Sequence, residues 1–211
     1  MARIGVLSDT HNDCVATEEA IRLLDAAGAT SFIHCGDVGP DVFRVLPSGR
    51  THAVAGNTDD EWLCARMAAQ CDITWHQRFG RLPIGAIRVA FLHSDDRRAY
   101  YSALSSGDFD LVLCGHTHVA EDTMVDDVRV VNPGAVVRSC QPSVAIVDVP
   151  EEIPDSGLAA SSPTRSRASL VVVQPICLCE SSLTPEQERQ NRDATAQALV
   201  PLALRRSGLL S

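Results

Sequence analysis

The sequence contains no lysine, so all 18 basic residues among its 211 are arginines. This absence excludes catalysis through a Schiff-base lysine. It also excludes the phosphate-binding loop of P-loop nucleotide hydrolases and the catalytic lysine of protein kinases, because both motifs need a lysine to contact phosphate. The chemistry of this chain therefore has to come from other residue types.

Long apolar runs and closely paired cysteines are missing as well. No apolar run reaches the roughly 18 residues of a membrane span, and no export signal precedes the first strand-like segment, so we expect a cytoplasmic protein without a membrane anchor. The eight cysteines form no CxxC pair and are expected to be small, largely buried residues in a reducing compartment. The formal net charge of −9 predicts weak binding of nucleic acid, which depends on cationic side chains.

The order of apolar segments predicts an α/β domain over residues 1–150. Strand-like and helix-like segments alternate until residue 114, and only strands are predicted after it, which favours two face-to-face sheets with helices outside. Two of the strands are expected to surround a turn-prone stretch at residues 80–85. Residues 151–211 are predicted to form a linker, a peripheral strand at residues 170–173 and a helix at residues 184–199.

Metal-ligand residue types follow five of the predicted strands, at the point where each strand ends. Such a residue comes soon after each apolar run: Asp9 and His11 after residues 4–7, Asp37 after 32–35, Asn57 after 53–55, His93 after 89–92, and His116 with His118 after 111–114. A strand followed by a turn exposes these side chains at the edge of a sheet. We therefore predict that the seven side chains hold two divalent cations that share one bridging carboxylate.

The local spacing around these residues supports the same prediction. Glycine directly precedes three of them, namely Asp37, Asn57 and His116, and permits tight turns and close approach of the backbone. The remaining pattern is an i, i+2 spacing, found in Asp9 with His11 and in His116 with His118. This spacing would point both members of a pair to the same side of an extended chain. His34 lies inside a predicted strand, where a hydrogen-bonded core or supporting role is favoured.

Taken together, these motifs resemble those of the calcineurin-like metallophosphoesterases, particularly their small bacterial and archaeal phosphodiesterase branch. The matching motifs are D-T-H at residues 9–11, G-D at 36–37, G-N-T-D at 56–59, His93, G-H-T-H at 115–118 and N-P-G at 132–134. The resemblance covers about residues 1–149 and implies a four-layer αββα sandwich with a dinuclear metal site at the carboxyl ends of its strands.

The resemblance also implies how the ligands are shared between two metal ions. The first ion would be held by Asp9, His11, Asp37 and His118, and the second by Asp37, Asn57, His93 and His116, so that Asp37 is the bridge. Mn²⁺ is the expected ion, with Fe, Zn²⁺ and Ni²⁺ as alternatives. Asn57, Thr58 and Asp59 are predicted to be catalytic, and Asp59 either orients neighbouring groups or begins the following helix.

Two residues depart from the pattern of the family. Many relatives have a histidine after the metal-binding asparagine, where it assists the leaving group, whereas this chain has Thr58. A threonine hydroxyl is a poor proton donor at neutral pH, so strong general-acid assistance is not expected from this position. Ser94 stands where a glycine usually follows the metal-binding histidine, and its side chain would narrow the approach of a phosphate.

The function implied by the resemblance is hydrolysis of phosphodiester bonds in small substrates or nucleotides, by attack of a metal-bridging hydroxide. A phosphomonoesterase and a nucleotide pyrophosphohydrolase are alternatives within the same chemistry. A noncatalytic scaffold similar to a retromer subunit of the same fold is an alternative from another class. The sequence leaves a homo-oligomer open.

Overall fold

The computed structural model describes residues 1–152 and 172–178. Its strands and helices, in chain order, are β1 (Ala2–Leu7), α1 (Cys14–Ala26), β2 (Ser31–His34), β3 (Thr51–Ala53), α2 (Glu61–Gln70), β4 (Thr74–Trp75), β5 (Phe79–Ile84), β6 (Ile87–Leu92), α3 (Arg97–Ser105), β7 (Leu111–Leu113), β8 (Ala120–Val125), β9 (Val128–Pro133), β10 (Ser143–Val149) and β11 (Val172–Cys177). A short 3₁₀ helix covers Val42–Arg44.

The strands form two sheets. The first sheet has the order β11-β10-β1-β2-β3-β4, in which β1 to β4 run parallel and β10 and β11 are antiparallel additions. The second sheet has the order β5-β6-β7-β9-β8, in which β6, β7 and β9 run parallel between two antiparallel edge strands. Parallel neighbours end at the same edge of a sheet, so both sheets can present several loops together.

Three apolar clusters show that the sheets pack face to face with helices outside. The middle cluster joins side chains of β1 and β10 to side chains of β6 and β7, such as Val6 and Phe91. A second cluster buries α1 and α2 against the outer face of the first sheet. The third buries α3 against the outer face of the second sheet, where Ala103 packs with Leu92 and Val112. The predicted four-layer αββα sandwich is confirmed.

Each of the three α-helices begins just after a loop that carries predicted ligands, and each has an aspartate N-cap. The carboxylates of Asp13, Asp60 and Asp96 accept backbone N–H groups of the first helical turn at 2.9 to 3.0 Å. An aspartate in this position supplies the acceptor that the first turn of a helix lacks. Because Asp60 caps α2, Asp59 does not begin the helix. Of the two roles predicted for Asp59, only the orientation of neighbouring groups remains.

The prediction of a turn at residues 80–85 is wrong, because the turn lies later in the chain. Residues 79–84 form β5, and the chain turns at Gly85 and Ala86 before β6. Gly80 pairs with Phe91 across the two strands, and a Cβ atom on residue 80 would collide with the Phe91 ring. The glycine therefore makes room for a large core side chain within a strand, a role that local turn propensity does not reveal.

The chain beyond residue 152 is described only at residues 172–178. There β11 overlaps the predicted strand at residues 170–173 and pairs with β10 at the edge of the first sheet. The predicted helix at residues 184–199 lies outside the described residues, and the division into a domain and an extension stays a prediction. Among the described residues, no helix has the length and apolar character needed to cross a bilayer.

Candidate metal centre

Asp9, in the loop after β1, lies at the centre of the cluster of predicted ligands. Its Oδ1 atom lies 3.2 Å from Nε2 of His118 and 3.8 Å from Nε2 of His93. Its Oδ2 atom accepts the backbone N–H of His116 at 3.2 Å. The side chain is fully buried, and Oδ1 has no hydrogen-bond partner among the described residues. A buried carboxylate oxygen without a partner is costly unless a cation binds it.

Asp37, in the loop after β2, lies near histidines that are assigned to both predicted metal positions. Its Oδ2 atom lies 3.5 Å from Nε2 of His93 and 3.8 Å from Nδ1 of His11. Burial alone would raise the pKa of Asp37, but the neighbouring His93 side chain and the hydrogen bond from the backbone N–H of Thr58 lower the pKa below its ordinary value. The carboxylate is therefore ionised at neutral pH, as a bridging ligand has to be.

Two sets of predicted ligands share Asp9: the first is Asp9, His11 and His118, and the second is Asp9, Asp37 and His93. Within each set, the ligand atoms all lie within 4.8 Å of one another. The other two predicted ligands are more exposed and lie beside these sets. The ring centroid of His116 is 5.1 Å from that of His93. Asn57 precedes Thr58, whose backbone N–H donates to Asp37 at 2.9 Å. The structure thus brings the seven predicted positions to one edge of the two sheets.

Two of the histidines have their tautomer set by a backbone carbonyl. Nδ1 of His93 donates to the carbonyl of Cys35 at 2.9 Å, and Nδ1 of His118 donates to the carbonyl of Arg138 at 3.2 Å. A carbonyl accepts but cannot donate, so Nδ1 carries the proton and Nε2 turns a lone pair toward the cluster. Nε2 of His93 is the other buried atom without a hydrogen-bond partner in the described chain.

The electrostatics of the histidines differ across the cluster. Burial lowers the pKa of His93, but the nearby carboxylates of Asp37 and Asp9 outweigh this effect, so the pKa is raised. The pKa of His11 is lowered, first by burial and then by the charge of Arg138. In the absence of a cation, protons compete for the same lone pairs that a metal ion would use.

Backbone strain is concentrated at the predicted ligands. Five of the seven have a positive φ: Asp9 (57°), His11 (44°), Asp37 (53°), His116 (79°) and His118 (60°). Such a conformation costs a non-glycine residue of order 1 kcal/mol or more and is common at functional sites. These residues are consequently not extended, and the expectation of same-side alternation along an extended chain is wrong. Left-handed turns, rather than strand geometry, bring Nε2 of His11 to 3.4 Å from Nε2 of His118.

The three glycines that directly precede predicted ligands allow loops to approach one another closely. A Cβ atom at Gly36 would meet the His93 ring, one at Gly56 would collide with the Asp37 carboxylate, and one at Gly115 would collide with the Ser8 hydroxyl. Gly36 also has a φ of +99°, which favours glycine. The expected close approach is therefore found, and two of the three approaching groups, those of His93 and Asp37, belong to the cluster itself.

His34 is fully buried beneath the loops after β1 and β2. Its Nδ1 accepts the backbone N–H of Gly36 at 3.3 Å, so Nε2 carries the proton and donates to Thr10 Oγ1 at 2.9 Å. Thr10 in turn donates to the carbonyl of Val38 at 2.9 Å. Burial lowers the pKa of His34 to about 3, so the ring stays neutral. The predicted position of His34 as a hydrogen-bonded core residue is confirmed.

Asp59 ties the loop after β3 to the loop after β2. Its Oδ2 atom accepts the N–H groups of Gly56 and Val38 at 2.9 and 3.1 Å, and its Oδ1 atom accepts that of Gly39 at 2.8 Å. These bonds occupy both carboxylate oxygens. Asp59 therefore positions the loops that carry Asp37 and Asn57.

A cavity of about 280 Å³ borders the exposed side of His116. It lies between α3, the loop after β7 and the strands β8 and β9. Its walls are formed by Ser94, Asp95, Arg97, Tyr100, Tyr101, Cys114, His116, Thr117, Glu121 and Asn132. The cavity gives the metal cluster a neighbouring space that is large enough for an organic group.

Comparison with known proteins identifies the family. Residues 2–152, which include every predicted ligand, match the model of the calcineurin-like phosphoesterase superfamily domain. The chain belongs to this superfamily. The resemblance seen in the motifs is therefore confirmed, and the four-layer fold agrees with it.

Individual relatives support the same membership. A phosphodiesterase of Methanocaldococcus jannaschii is 31% identical over 138 residues, which are 63% of this chain and 82% of the relative. The solved structure of an archaeal phosphodiesterase superposes with a TM-score of 0.65 at 24% identity, covering 83% of this chain and 99% of that one. Vps29 of Chaetomium thermophilum superposes with a TM-score of 0.54 at 16% identity, covering 84% and 98%. The two structural matches show the fold alone.

Membership in this superfamily implies divalent metal ions, and the site fits them. Two buried polar atoms, Asp9 Oδ1 and His93 Nε2, lack hydrogen-bond partners in the described residues and point at the same cluster. Carboxylate and neutral imidazole donors are suitable ligands for divalent transition-metal ions. Five of the seven donor residues lie in loops with a strained, positive φ. The cluster is therefore a candidate centre for the metal ions of the superfamily.

The two departures from the superfamily pattern have structural explanations. Thr58 is exposed, and its backbone N–H donates to Asp37 at 2.9 Å, a contact that any non-proline residue could make. Ser94 has a φ of 70°, and its hydroxyl donates to the carbonyl of Gly115 at 2.9 Å. The Ser94 hydroxyl thus links the loop of His93 to the loop of His116.

Sequence reasoning missed two arginines near the cluster. Arg138 follows the N-P-G motif and orients His118 through its carbonyl. Arg78 donates to the carbonyl of Gly56 at 2.8 Å and forms an ion pair with Asp95. Neither arginine belongs to a ligand motif, so only the folded chain reveals them. Asn132, part of the N-P-G motif, supports the loop of His116 by donating to the Gly115 carbonyl at 3.2 Å.

Proposed function

We propose that this protein hydrolyses phosphodiester bonds of small substrates with two divalent ions held by Asp9, His11, Asp37, Asn57, His93, His116 and His118. The observation that carries the proposal is the buried pair of unpartnered atoms, Asp9 Oδ1 and His93 Nε2, at the centre of these ligands. The name of the relative from Methanocaldococcus jannaschii, a phosphodiesterase, supports the diester specificity.

Asp37 supports the assignment of two ions that share one ligand. Its Oδ2 atom lies within 3.8 Å of a nitrogen of His11 and within 3.5 Å of Nε2 of His93. These histidines belong to different predicted metal positions. Two ions, when bound, lower the pKa of a coordinated water and offset the negative charge of a phosphoester. Carboxylate, amide and imidazole ligands suit Mn²⁺, Fe and Zn²⁺ alike, and we expect Mn²⁺ because the resemblance to the superfamily implies it.

The residues of the chain would bind and orient the substrate around these ions. The cavity beside His116 has room for one ester group of a phosphodiester. Arg97 lies at its wall, with its guanidinium 5.9 Å from the ring centroid of Tyr101. Arg138 brings a positive charge close enough to lower the pKa of His11. Both arginines are suitable partners for an anionic substrate.

Thr58 favours substrates whose leaving group departs without a proton. A positioned general acid typically contributes about 10²- to 10⁴-fold to a rate, and a threonine hydroxyl is too weak an acid to do so at neutral pH. Asn57 and Thr58 would therefore contribute a metal ligand and a backbone contact to Asp37. Aryl esters are expected to react faster than alkyl esters.

The test is an assay with bis-p-nitrophenyl phosphate and Mn²⁺, with p-nitrophenyl phosphate as the monoester comparison. We expect release of p-nitrophenol from the diester, at a higher kcat/KM than from the monoester, and loss of the activity when a chelator is added. Metal analysis of the same sample establishes that two ions are bound. Absence of turnover in a sample that contains two ions per chain would overturn the proposal, and a preference for the monoester would identify a phosphomonoesterase.

A further inference from the structure

Arg78 makes three polar contacts at the edge of the sheets where the predicted ligands lie. One guanidinium nitrogen donates to the carbonyl of Gly56 at 2.8 Å and lies 3.9 Å from Oε1 of Glu61. The other pairs with Asp95 Oδ2. Arginine has a planar fork of donors, so one side chain can hold a carbonyl and a carboxylate in fixed directions.

The partners of Arg78 belong to two loops from different sheets. Gly56 directly precedes Asn57, in the loop after β3 of the first sheet. Asp95 follows His93 by two residues, in the loop after β6 of the second sheet. Arg78 itself lies between β4 and β5, where the chain crosses from the first sheet to the second. Its guanidinium therefore cross-links the two sheets at the ligand edge.

Both of these loops carry predicted ligands of the second metal ion. The loops of the first ion are held by other contacts, such as the buried bonds of His34 and Thr10. Within the first sheet, Asp59 fixes the loop of Asn57 to the loop of Asp37. Arg78 adds a link from the loop of Asn57 to that of His93. A change in the distance between the Asn57 loop and the His93 loop would alter the geometry of the second metal position more than that of the first.

We propose that Arg78 is a positioning residue that sets the separation of the Asn57 and His93 loops and thereby the affinity of the second metal ion. The inference rests on the proposed two-ion site. Arg78 touches neither ion nor substrate in this role, and it acts through Gly56 and Asp95. Partners of this kind, which orient metal ligands, typically change metal affinity by about 10- to 100-fold when removed.

Arg88 offers a matched control for the stabilising effect of such an ion pair. It also contacts one carboxylate and one backbone carbonyl, those of Asp110 and Gly107, at 2.9 and 3.0 Å. It lies near the start of β6, at the opposite end of the strand from His93. Substitution of Arg88 therefore removes a similar pair of contacts without touching a ligand loop.

The experiment is a calorimetric titration of the metal-free protein with Mn²⁺. We expect two binding phases in the wild-type protein and in Arg88→Gln. In Arg78→Gln, the second phase should weaken about 10-fold or more while the first stays within about 2-fold, because only one pair of loops is released. Arg78→Lys keeps the charge but not the fork, so it should restore only part of the affinity.

Several outcomes would overturn the inference: an unchanged second phase in a folded Arg78→Gln protein, an equal weakening in Arg88→Gln, or a single bound ion in the wild type. If Arg78→Gln does not fold, Asp95→Asn removes the same link from its other end and carries the same expectation. A wild-type protein that binds two ions but hydrolyses no diester would refute the proposed function while leaving the role of Arg78 intact.

Discussion

The two sides of the candidate ligand cluster are supported by different kinds of interaction. On the side of Asp9 and His11, buried and neutral hydrogen bonds of His34 and Thr10 join the loops after β1 and β2. On the side of His93 and Asn57, a partly exposed ion pair of Arg78 joins the loops of these two residues, and the Arg78 side chain keeps 37% of its accessible surface. Partly exposed ion pairs are screened by salt, whereas buried hydrogen bonds are not.

The two sides also differ in how complete they are before an ion binds. Asp9, His11 and His118 form one of the two sets in which all ligand atoms lie within 4.8 Å. The second such set includes Asp37 and His93 of the other position, but the remaining two ligands of that position, Asn57 and His116, lie outside both sets and are exposed. Preformed ligands lose less conformational entropy on binding. We therefore expect the first ion to bind more tightly than the second, and the affinity of the second position to be easier to change.

The largest effect is expected from Asp37→Asn, which disrupts both sides at once. The amide lacks the negative charge that the bridging position needs, so we expect more than about 100-fold loss of diester hydrolysis and reduced binding of both ions. Asp110→Asn is a suitable control, since Asp110 is also buried but lies before β7, away from the cluster. The bridging role would be contradicted if the Asp37→Asn protein had the same kcat and the same metal content as the wild type.

His118→Ala and His116→Ala should separate the two sides. The first removes a preformed ligand, and we expect the tighter ion to weaken by about 10- to 100-fold. The second removes an exposed ligand, and the weaker ion should be the one affected. Calorimetric titration with Mn²⁺ measures both phases in each variant. Loss of the same phase in both variants would show that the assignment of ligands to two positions is wrong.

His34→Gln should reveal the pH dependence of the Asp9 side. The unfolded imidazole takes up a proton near pH 6.5, while the buried one stays neutral down to about pH 3, so stability falls as the pH drops below 6.5. Between pH 7 and pH 5 this group should cost the wild type about 2 kcal/mol. Urea unfolding in the presence of a chelator measures this difference.

The variant His34→Gln should be less stable at pH 7, because the bonds to Gly36 and Thr10 are disturbed. Its loss of stability between pH 7 and pH 5 should nevertheless be smaller by the stated amount, since glutamine does not titrate. Equal pH slopes in the two proteins would show that His34 is protonated in the native state.

The smallest effect is expected from Ser94→Gly, on the His93 side. Glycine relieves the strain of a φ of 70° but loses the hydrogen bond to the Gly115 carbonyl. Each contribution is about 1 kcal/mol and they oppose one another, so the free energy of unfolding should change by less than about 1 kcal/mol. Thermal unfolding checks the stability. A several-fold rise in kcat/KM would instead indicate that Ser94 obstructs the phosphate.

Several features of the site could be predicted because they depend on local chemistry. Apolar runs that end in a ligand residue predicted where the strands end and which side chains meet there. Glycine before a ligand indicated close approach, as found where Gly56 abuts Asp37. Features that depend on partners distant in sequence were missed, including the strand position of Gly80 and the link between Arg78 and Asp95.

The sequence by itself indicated the family, the layered α/β fold and the candidate ligands, because apolar periodicity and motif spacing are properties of short segments. The tertiary structure decided the conformation of the ligand turns, the tautomers of His93 and His118, and the way in which Arg78 joins two sheets. These features arise from contacts between residues far apart along the chain, and such contacts exist only after the two sheets have packed together.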